Sequence, residues 1–502
     1  MDAIEQLNQD VRDGRIDVDR LIDVIVTLQR QLEAAKQRIK HLEKNAAAST
    51  PSPTAKVDEA FSLREEEKRQ KKRGKKQPKL SKKGRRGRLT SADKLKLAER
   101  TEPCFPKDVP PHDCHLSHTR PVWRLEKGQA VLIAYEIYRG PNNQYGKILG
   151  VLGRSEFGME IVLEVAYFVY VMGLSFDKVC LTLQFMQNLR LGKTQADALL
   201  KQLARHWQHE FEVLCTLLAN SLVVHTDETS WSINSVWAFL SEKARVVLFG
   251  VHKDAATLEQ ILDPRTFAGL VISDDAAVYA NFSQAQKCWA HLLRKAIKLT
   301  LQEPLNEEYR VFMDRLLEIY RRACRVQCDG RLSAAGQAGK VADLDDEILE
   351  LCVPMWELEL PPLEDKPEDD YRLLVNEVMR LMLAKQLFTF VTAEPTTQPN
   401  GTRQPVSGTN NEAERTLRNP AEARKTGRTS KTLIGARRQT IIVSVLESLR
   451  LYLPKFTLGS VIEEITRWCQ VGQSCFGKLL KQMKLQPPAQ SVLDKVMLAP
   501  DG

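Results

Sequence analysis

The feature that most limits the fold is a change of hydrophobic period between residues 219 and 299. LVVHTDE, the two halves of VWAFLSEKARVVLFGVH around a polar turn at Ser241–Ala244, and GLVISDD read as strands. DAATLEQIL and CWAHLLRKAIKLTL read as helices between and after them. Strands alternating with helices predict a sheet covered by helices, the α/β class. Two of the strand-like runs finish in acid: Asp227 follows VVHT and Asp274 follows LVIS. At an ordinary strand end either acid can simply face water. If the two strands are neighbours, their carboxylates converge where ligand sites of open α/β sheets lie. Converging carboxylates repel, and a hard divalent cation such as Mg²⁺ relieves that repulsion. Two such ions ~3.5–4 Å apart suit in-line displacement at phosphorus.

A third acid has to come from elsewhere, and NNEAERTLR supplies a candidate. Asn410 or Asn411 can cap a helix there, with Glu414 one turn in and Arg415 and Arg418 beside it. Arg418 lies four residues beyond Glu414, so a surface ion pair is the competing use of that acid. Arg424, Lys425, Arg428, Lys431, Arg437 and Arg438 follow as a basic cluster, suited to phosphate or to a solvated face. In CWAHLLRK, Trp289 and His291 stand at a strand-to-helix join and read as packing, with His291 a candidate to orient a metal ligand. Arg294 and Lys295, at the start of that helix, read as phosphate contacts.

The rest of the chain frames this segment. At 502 residues it exceeds one hydrophobic core. No apolar run approaches the ~18 residues of a membrane span, and MDAIEQLNQDVRDG does not read as a secretory signal. Ten Cys without a CxxC pair suggest reduced thiols and a cytoplasmic setting. The formal charge is +9, yet Lys68 to Arg88 holds thirteen Lys and Arg and no acid, leaving −4 for the remainder. Such a block reads as a polyanion-binding segment or a solvated linker. Upstream, Leu21, Ile25, Leu28, Leu32, Ala35, Ile39 and Leu42 alternate spacings of four and three. That is a short coiled-coil seam for self-association, or an amphipathic helix packed on its own protein. Cys104, Cys114, His115 and His118 could ligate zinc, but C-x9-C-H-x2-H is not a standard spacing, and zinc is not expected. Residues 160–207 show three helical stretches broken at Gly173 and near Gly192, with Ser175 and Thr194 as candidate caps. That is a helix-turn-helix pattern or a plain bundle.

HTDETSW, ISDDAAVY, CWAHLLRK and NNEAERTLR followed by ARK, in that order, resemble the transposases of the insertion sequence 66 family over about residues 150–455. The resemblance implies an RNase H-like catalytic domain with a DDE triad acting on element-end DNA with two Mg²⁺, Mn²⁺ being the alternative ion. By motif position the triad falls on Asp227 rather than Glu228, on Asp274 with Asp275 as the competitor, and on Glu414 rather than Glu412. These three acids would be both catalytic residues and metal ligands, with Arg294, Lys295, Arg415, Arg418, Arg424 and Lys425 on DNA. The implied chemistry is hydrolysis at the element end and strand transfer into target DNA. Two features depart from the family: its paired-Cys zinc stretch is reduced to Cys104 and Cys114 with nearby His, and Thr409 replaces the acid before the Asn pair. Members commonly sit beside two small accessory proteins, which are expected partners along with DNA and further copies of the chain, at the bacterial nucleoid.

The expected layout is therefore α/β, an RNase H-like domain with a large helical insertion, preceded by a helical, helix-turn-helix-like domain and an N-terminal coiled coil. Its segments are a coiled-coil helix over 1–45, a basic disordered linker over 46–100 and a Cys/His-containing irregular region over 101–156. A helical DNA-binding region over 157–218 and the first part of the core over 219–299 follow. Then come a helical insertion over 300–400, the Glu-bearing helix and end of the core over 401–470, and a C-terminal tail over 471–502. Three other readings compete: a nuclease of the same fold without strand transfer, an inactive or repurposed DNA-binding copy, and a coiled-coil scaffold binding RNA or lipid.

Overall fold

A computed structural model of the chain describes residues 89–357 and 362–497, with Glu33 and Lys36 outside them. The chain divides into two units, Met1–Arg88 and Leu89–Gly502, and the elements below belong to the second. Glu33 and Lys36 are helical. The rest of the expected coiled coil, and the basic block, lie outside the described residues.

Five strands form the central sheet: β4 (Val223–Ser230), β5 (Ser235–Ser241), β6 (Arg245–Val251), β7 (Leu270–Ser273) and β8 (Ala285–Lys287). Their spatial order is β6-β5-β4-β7-β8. The first three form an antiparallel meander; β7 joins β4, and β8 joins β7, in parallel. Side chains alternate between faces with a period of two, which sorts the meander into two apolar surfaces. Trp237, Phe239, Val246 and Leu248 enter the main core together with a long helix from the preceding region. Val236, Ala238, Val247 and Phe249 form a separate cluster on the other face, with Trp231, Leu417 and Ala436.

The region before the sheet differs from expectation. Residues 101–156 are not irregular: β1 (Arg100–Cys104), β2 (His115–Glu126) and β3 (Gln129–Arg139) form a sheet in the order β1-β3-β2. The long β2–β3 hairpin closes through Lys127 and Gly128, both at positive φ, the geometry of a two-residue turn matched to strand twist. The assumed linker also ends early, since Ser91–Lys96 is helical and Thr90 caps it by accepting from the Asp93 N–H.

Three helices follow: α1 (Met159–Ala166), continued by a π-turn over Tyr167–Val171, α2 (Phe176–Gln187) and α3 (Lys193–Ala219). Ser175 caps α2 as expected, accepting from Lys178 N at 3.3 Å. Thr194 does not cap α3; the cap is Gly192, and the helix starts one residue before Thr194. The apolar stripe of α3, including Leu200, Trp207, Phe211 and Leu214, is buried in the main core. α3 is thus a structural layer of the domain, with Lys193, Lys201 and Arg205 on its exposed side.

After β8 come α4 (Trp289–Gln302), α5 (Glu307–Cys328), α6 (Ala334–Cys352) and α7 (Lys366–Leu383). These four helices lie between β8 and the helix that carries Glu414. They build their own core, which joins the sheet through Val223, Leu270 and Ile272. Asn306 and Ser333 cap α5 and α6, and Pro367 sits in the first turn of α7, where its missing N–H has no partner to lose. Next are α8 (Asn411–Lys425), α9 (Leu433–Tyr452), α10 (Leu458–Val471) and α11 (Cys475–Gln482). Residues 471–497 are not a loose tail: Phe476, Leu480, Leu493 and Val496 are buried in the main core.

Both edges of the sheet are closed. Along β6, the N–H groups of Arg245, Val247 and Phe249 donate to the hydroxyls of Ser448, Ser444 and Thr440, each at 2.9 Å. The three hydroxyls recur every fourth residue of α9, so one helical stripe matches every second residue of the strand. Along β8, Lys287 N donates to the Gln386 carbonyl at 2.8 Å, and the Gln286 amide bonds Leu387 O and Phe390 N. Ser444 is fully buried, so Ser444→Ala leaves the Val247 N–H unpaired. The expected cost is about 1–3 kcal/mol of stability, read by denaturant unfolding.

Candidate active site

The strand-bound acids come together through register. β4 does not end at its acid: it runs on to Ser230, paired with β5, because the tight Trp231–Asn234 turn continues the ladder. What stops earlier is the parallel pairing with β7, which covers Val223–His225. His225 is level with Ile272, so two residues further along each strand Asp227 comes level with Asp274. Asp227 also faces Ala238 of β5, whose side belongs to the surface covered by α8.

The third acid arrives on α8. Asn410, at its N-cap, does not accept from the helix's own N–H groups, the ordinary use of Asn there. Its fully buried amide instead donates to the Thr226 carbonyl at 2.7 Å, and its N–H meets Cys288 Sγ at 3.1 Å. One residue thus ties the start of the helix to β4 and to the β8–α4 join. Glu414, one turn later, accepts from Arg294 Nη2 at 2.6 Å and lies 3.7 Å from His291 Nε2. It pairs with α4 and not with Arg418 of its own helix.

The neighbouring acids sort differently. Glu228 pairs with Lys253 at 2.8 Å and accepts from the Tyr279 hydroxyl. Asp275 pairs with Arg380 and lies 4.0 Å from Lys287. Glu412 pairs with Arg245 at 2.6 Å. Asp227 and Asp274 have no cationic partner among the described residues; they accept only from the N–H groups of Glu228 and Ala276. Within each of the two strand pairs, therefore, one acid is ion-paired and the other is not.

Electrostatics reflect this crowding. Burial, then the negative charge of Glu228, pushes the Asp227 carboxyl up to about 7, with Asp274 and Glu414 adding to the rise. Lys287 is buried at the end of β8, donating to the Asp274 carbonyl at 2.9 Å, and burial pushes its ammonium pKa down. Sequence reasoning missed Lys287 and Arg380, and read Asn410 only as a candidate helix cap. A Lys inside the strand AQK was the visible sign of the first; the other two become meaningful only once β8, α7 and α8 are placed.

Asp227, Asp274 and Glu414 offer carboxylate oxygens, the donors a Mg²⁺ prefers, and the two strand acids lack cations to balance them. Cys288, His291 and Glu414 also bring one ligand atom each within 4.8 Å of one another. Burial pushes the Cys288 thiol up, which keeps it protonated and a poor ligand. A cavity of about 740 Å³ opens beside Asp274 between α4 and α7, with Lys287, His291 and Arg380 among its walls.

The cations expected on DNA divide into two groups. Arg294 is held by Glu414, Lys295 by Glu377, and Arg424 donates to the Ser230 carbonyl at 2.9 Å. Arg415, Arg418 and Lys425 are exposed on α8 with no ion-pair partner among the described residues. The four suspected zinc ligands do not assemble. Cys104 and His118 are each level with Ile137 on opposite sides of β3, two strand spacings or about 9.5 Å apart. Cys114 donates to the Pro110 carbonyl, and all ten cysteines are free. Among the described residues no helix is long and apolar enough to cross a membrane.

A search of curated proteins returned no match. A family model described as Transposase IS66 family matches residues 154–438, more than half of the chain and all of the sheet, the insertion and α8. The chain belongs to the IS66 family of transposases.

Proposed function

We propose that the protein is an RNase H-like DNA transposase that cleaves the phosphodiester at element ends and transfers the freed 3′-hydroxyl into target DNA. The observation that supports this reading is that Asp227 and Asp274 come level on β4 and at the end of β7, both without an ion pair among the described residues, and that the charges of Asp274 and of Glu414 on α8 both act on Asp227. A meander followed by two parallel strands, in the order β6-β5-β4-β7-β8, supports the RNase H-like assignment.

Divalent metal held by the three carboxylates would neutralise charge at the reacting phosphate and activate the attacking oxygen. The chain's own groups set the geometry. Asn410 fixes the height of α8 above β4, and Arg294 and His291 aim the Glu414 carboxylate. Lys287 anchors the backbone at Asp274. Glu228, Asp275 and Glu412 are held off the site by Lys253, Arg380 and Arg245. The exposed Arg415, Arg418 and Lys425 line a face of α8 suited to the DNA backbone, where each cation displaces condensed counterions.

Strand transfer separates this function from simple hydrolysis. Supplied with pre-cleaved DNA ends and a supercoiled target, the protein is expected to give joined product in the presence of Mg²⁺. Metal-dependent cleavage without joining would assign it as a nuclease of the same fold.

A further inference from the structure

Cys288 and His291 stand three residues apart at the start of α4 and so share one face of its first turn. Glu414 comes to that face from α8. One ligand atom from each of the three lies within 4.8 Å of the other two. His291 Nε2 and the Glu414 carboxylate are 3.7 Å apart, already inside the ~3.3–3.8 Å that separates the ligands of a tetrahedral zinc ion. The His291 ring is otherwise uncommitted: its Nδ1 is buried without a hydrogen-bond partner, and 3.7 Å is too long for a bond from Nε2. Cys288 is the N-cap of α4, where the helix dipole favours a thiolate. Burial raises its thiol, and the N–H groups of Asn410, His291 and Ala290 act against that rise. Cys288 and His291 both line the cavity of about 740 Å³ beside Asp274, which gives an ion a way in.

We propose that Cys288, His291 and Glu414 form a site for one thiophilic divalent ion, zinc above all, whose ligands differ from the three carboxylates proposed for Mg²⁺. Sulfur and imidazole nitrogen select zinc over magnesium, which takes oxygen. A thiolate, a carboxylate and a neutral imidazole balance the two charges of the ion, so the half-buried complex is neutral. The thiol proton leaves to solvent as the ion binds; without the ion Cys288 keeps it. Three protein ligands leave a fourth position for a water from the cavity. Arg294, half exposed, releases Glu414 to the ion. The effect on catalysis rests on the transposase reading above: zinc would take Glu414 from Asp227 and Asp274 and so oppose magnesium.

The test uses the full-length protein, freed of metal with chelator and titrated with Co²⁺ as an optical stand-in for zinc. The expected result is a sulfur-to-cobalt charge-transfer band that saturates at a single equivalent and is bleached by Zn²⁺. Cys288→Ser should remove the band. His291→Asn should weaken zinc binding by about 100-fold, no less than the loss of outer-shell partners costs at other metal sites. A cooperative melting transition shows that each variant folds, and Cys104→Ser, on the separate sheet of β1, should keep the band. Absence of a single-equivalent band, or a band that survives in folded Cys288→Ser, or undiminished affinity in His291→Asn, overturns the site and leaves the transposase reading intact. A single equivalent of zinc should also stop Mg²⁺-dependent strand cleavage by the unaltered protein. Cleavage that persists with the site filled overturns the shared use of Glu414. Absence of cleavage before zinc is added counts against the transposase reading alone.

Discussion

Asp227→Asn is expected to lower DNA strand cleavage and joining by about 10³-fold or more, while retention of DNA stays near that of the unaltered protein. The size follows from the way groups acting as one unit fail together. Asp227 is the acid on which the site's charge converges, being level with Asp274 and raised by both Asp274 and Glu414. The amide keeps its size and its acceptor for the Glu228 N–H but loses the anion. Under the proposed function, DNA would be retained by other groups, Arg415, Arg418, Lys425 and the basic block at Lys68–Arg88. Gel-shift and cleavage assays on the same preparation separate the two properties. Glu228→Gln is the control: its charge is already taken up by Lys253, so cleavage should fall far less. Equal losses of binding and cleavage in Asp227→Asn would remove the assignment.

The second large effect concerns stability, pH and metal together. The ordinary Asp value is 3.8 and the folded Asp227 value is about 7. Between those limits the folded protein keeps a proton that the unfolded chain has released, so each rise in pH favours unfolding. The contribution is fully present below the ordinary value and is lost as pH rises through about 7. Asp227→Asn has no charge to lose. Without divalent ions its melting temperature should therefore gain on that of the unaltered protein steadily from pH 4 to pH 8. Magnesium should reverse the order by binding only the folded acids. It should raise the melting temperature of the unaltered protein by several degrees at pH 8 and little at pH 5, where Asp227 holds its proton. In Asp227→Asn the shift should nearly vanish. Calorimetry with and without chelator reads all of these. A magnesium shift equal in both proteins would place the ion elsewhere.

The strands and the helical run after them were legible because each rests on short-range pattern. VVLFGV and LVIS have no other economical reading, and an acid after a buried run is visible as such. What the sequence hid depends on pairing across distance. Nothing local says that Asn410 reaches Thr226 or that Arg294 belongs to Glu414 before any phosphate. The β2–β3 hairpin was obscured by the Pro- and His-rich approach to it, although Lys127–Gly128 between alternating residues carried the turn signal. TIIVSVLESLRLYL shows no more in the sequence than an apolar helix. Its serines look like interruptions until a strand edge is laid against them.

Those serines decide how copies of this chain can meet. With hydroxyls consuming the outer groups of β6 and the Gln286 amide and Gln386 carbonyl occupying those of β8, no strand from a neighbour can extend the sheet. If two copies act together, as the proposed joining of DNA ends asks, their contact falls to surfaces other than the edges of this sheet. Complexes built that way are held by side chains and can be loosened by single surface substitutions, without disturbing the layer that carries the acids.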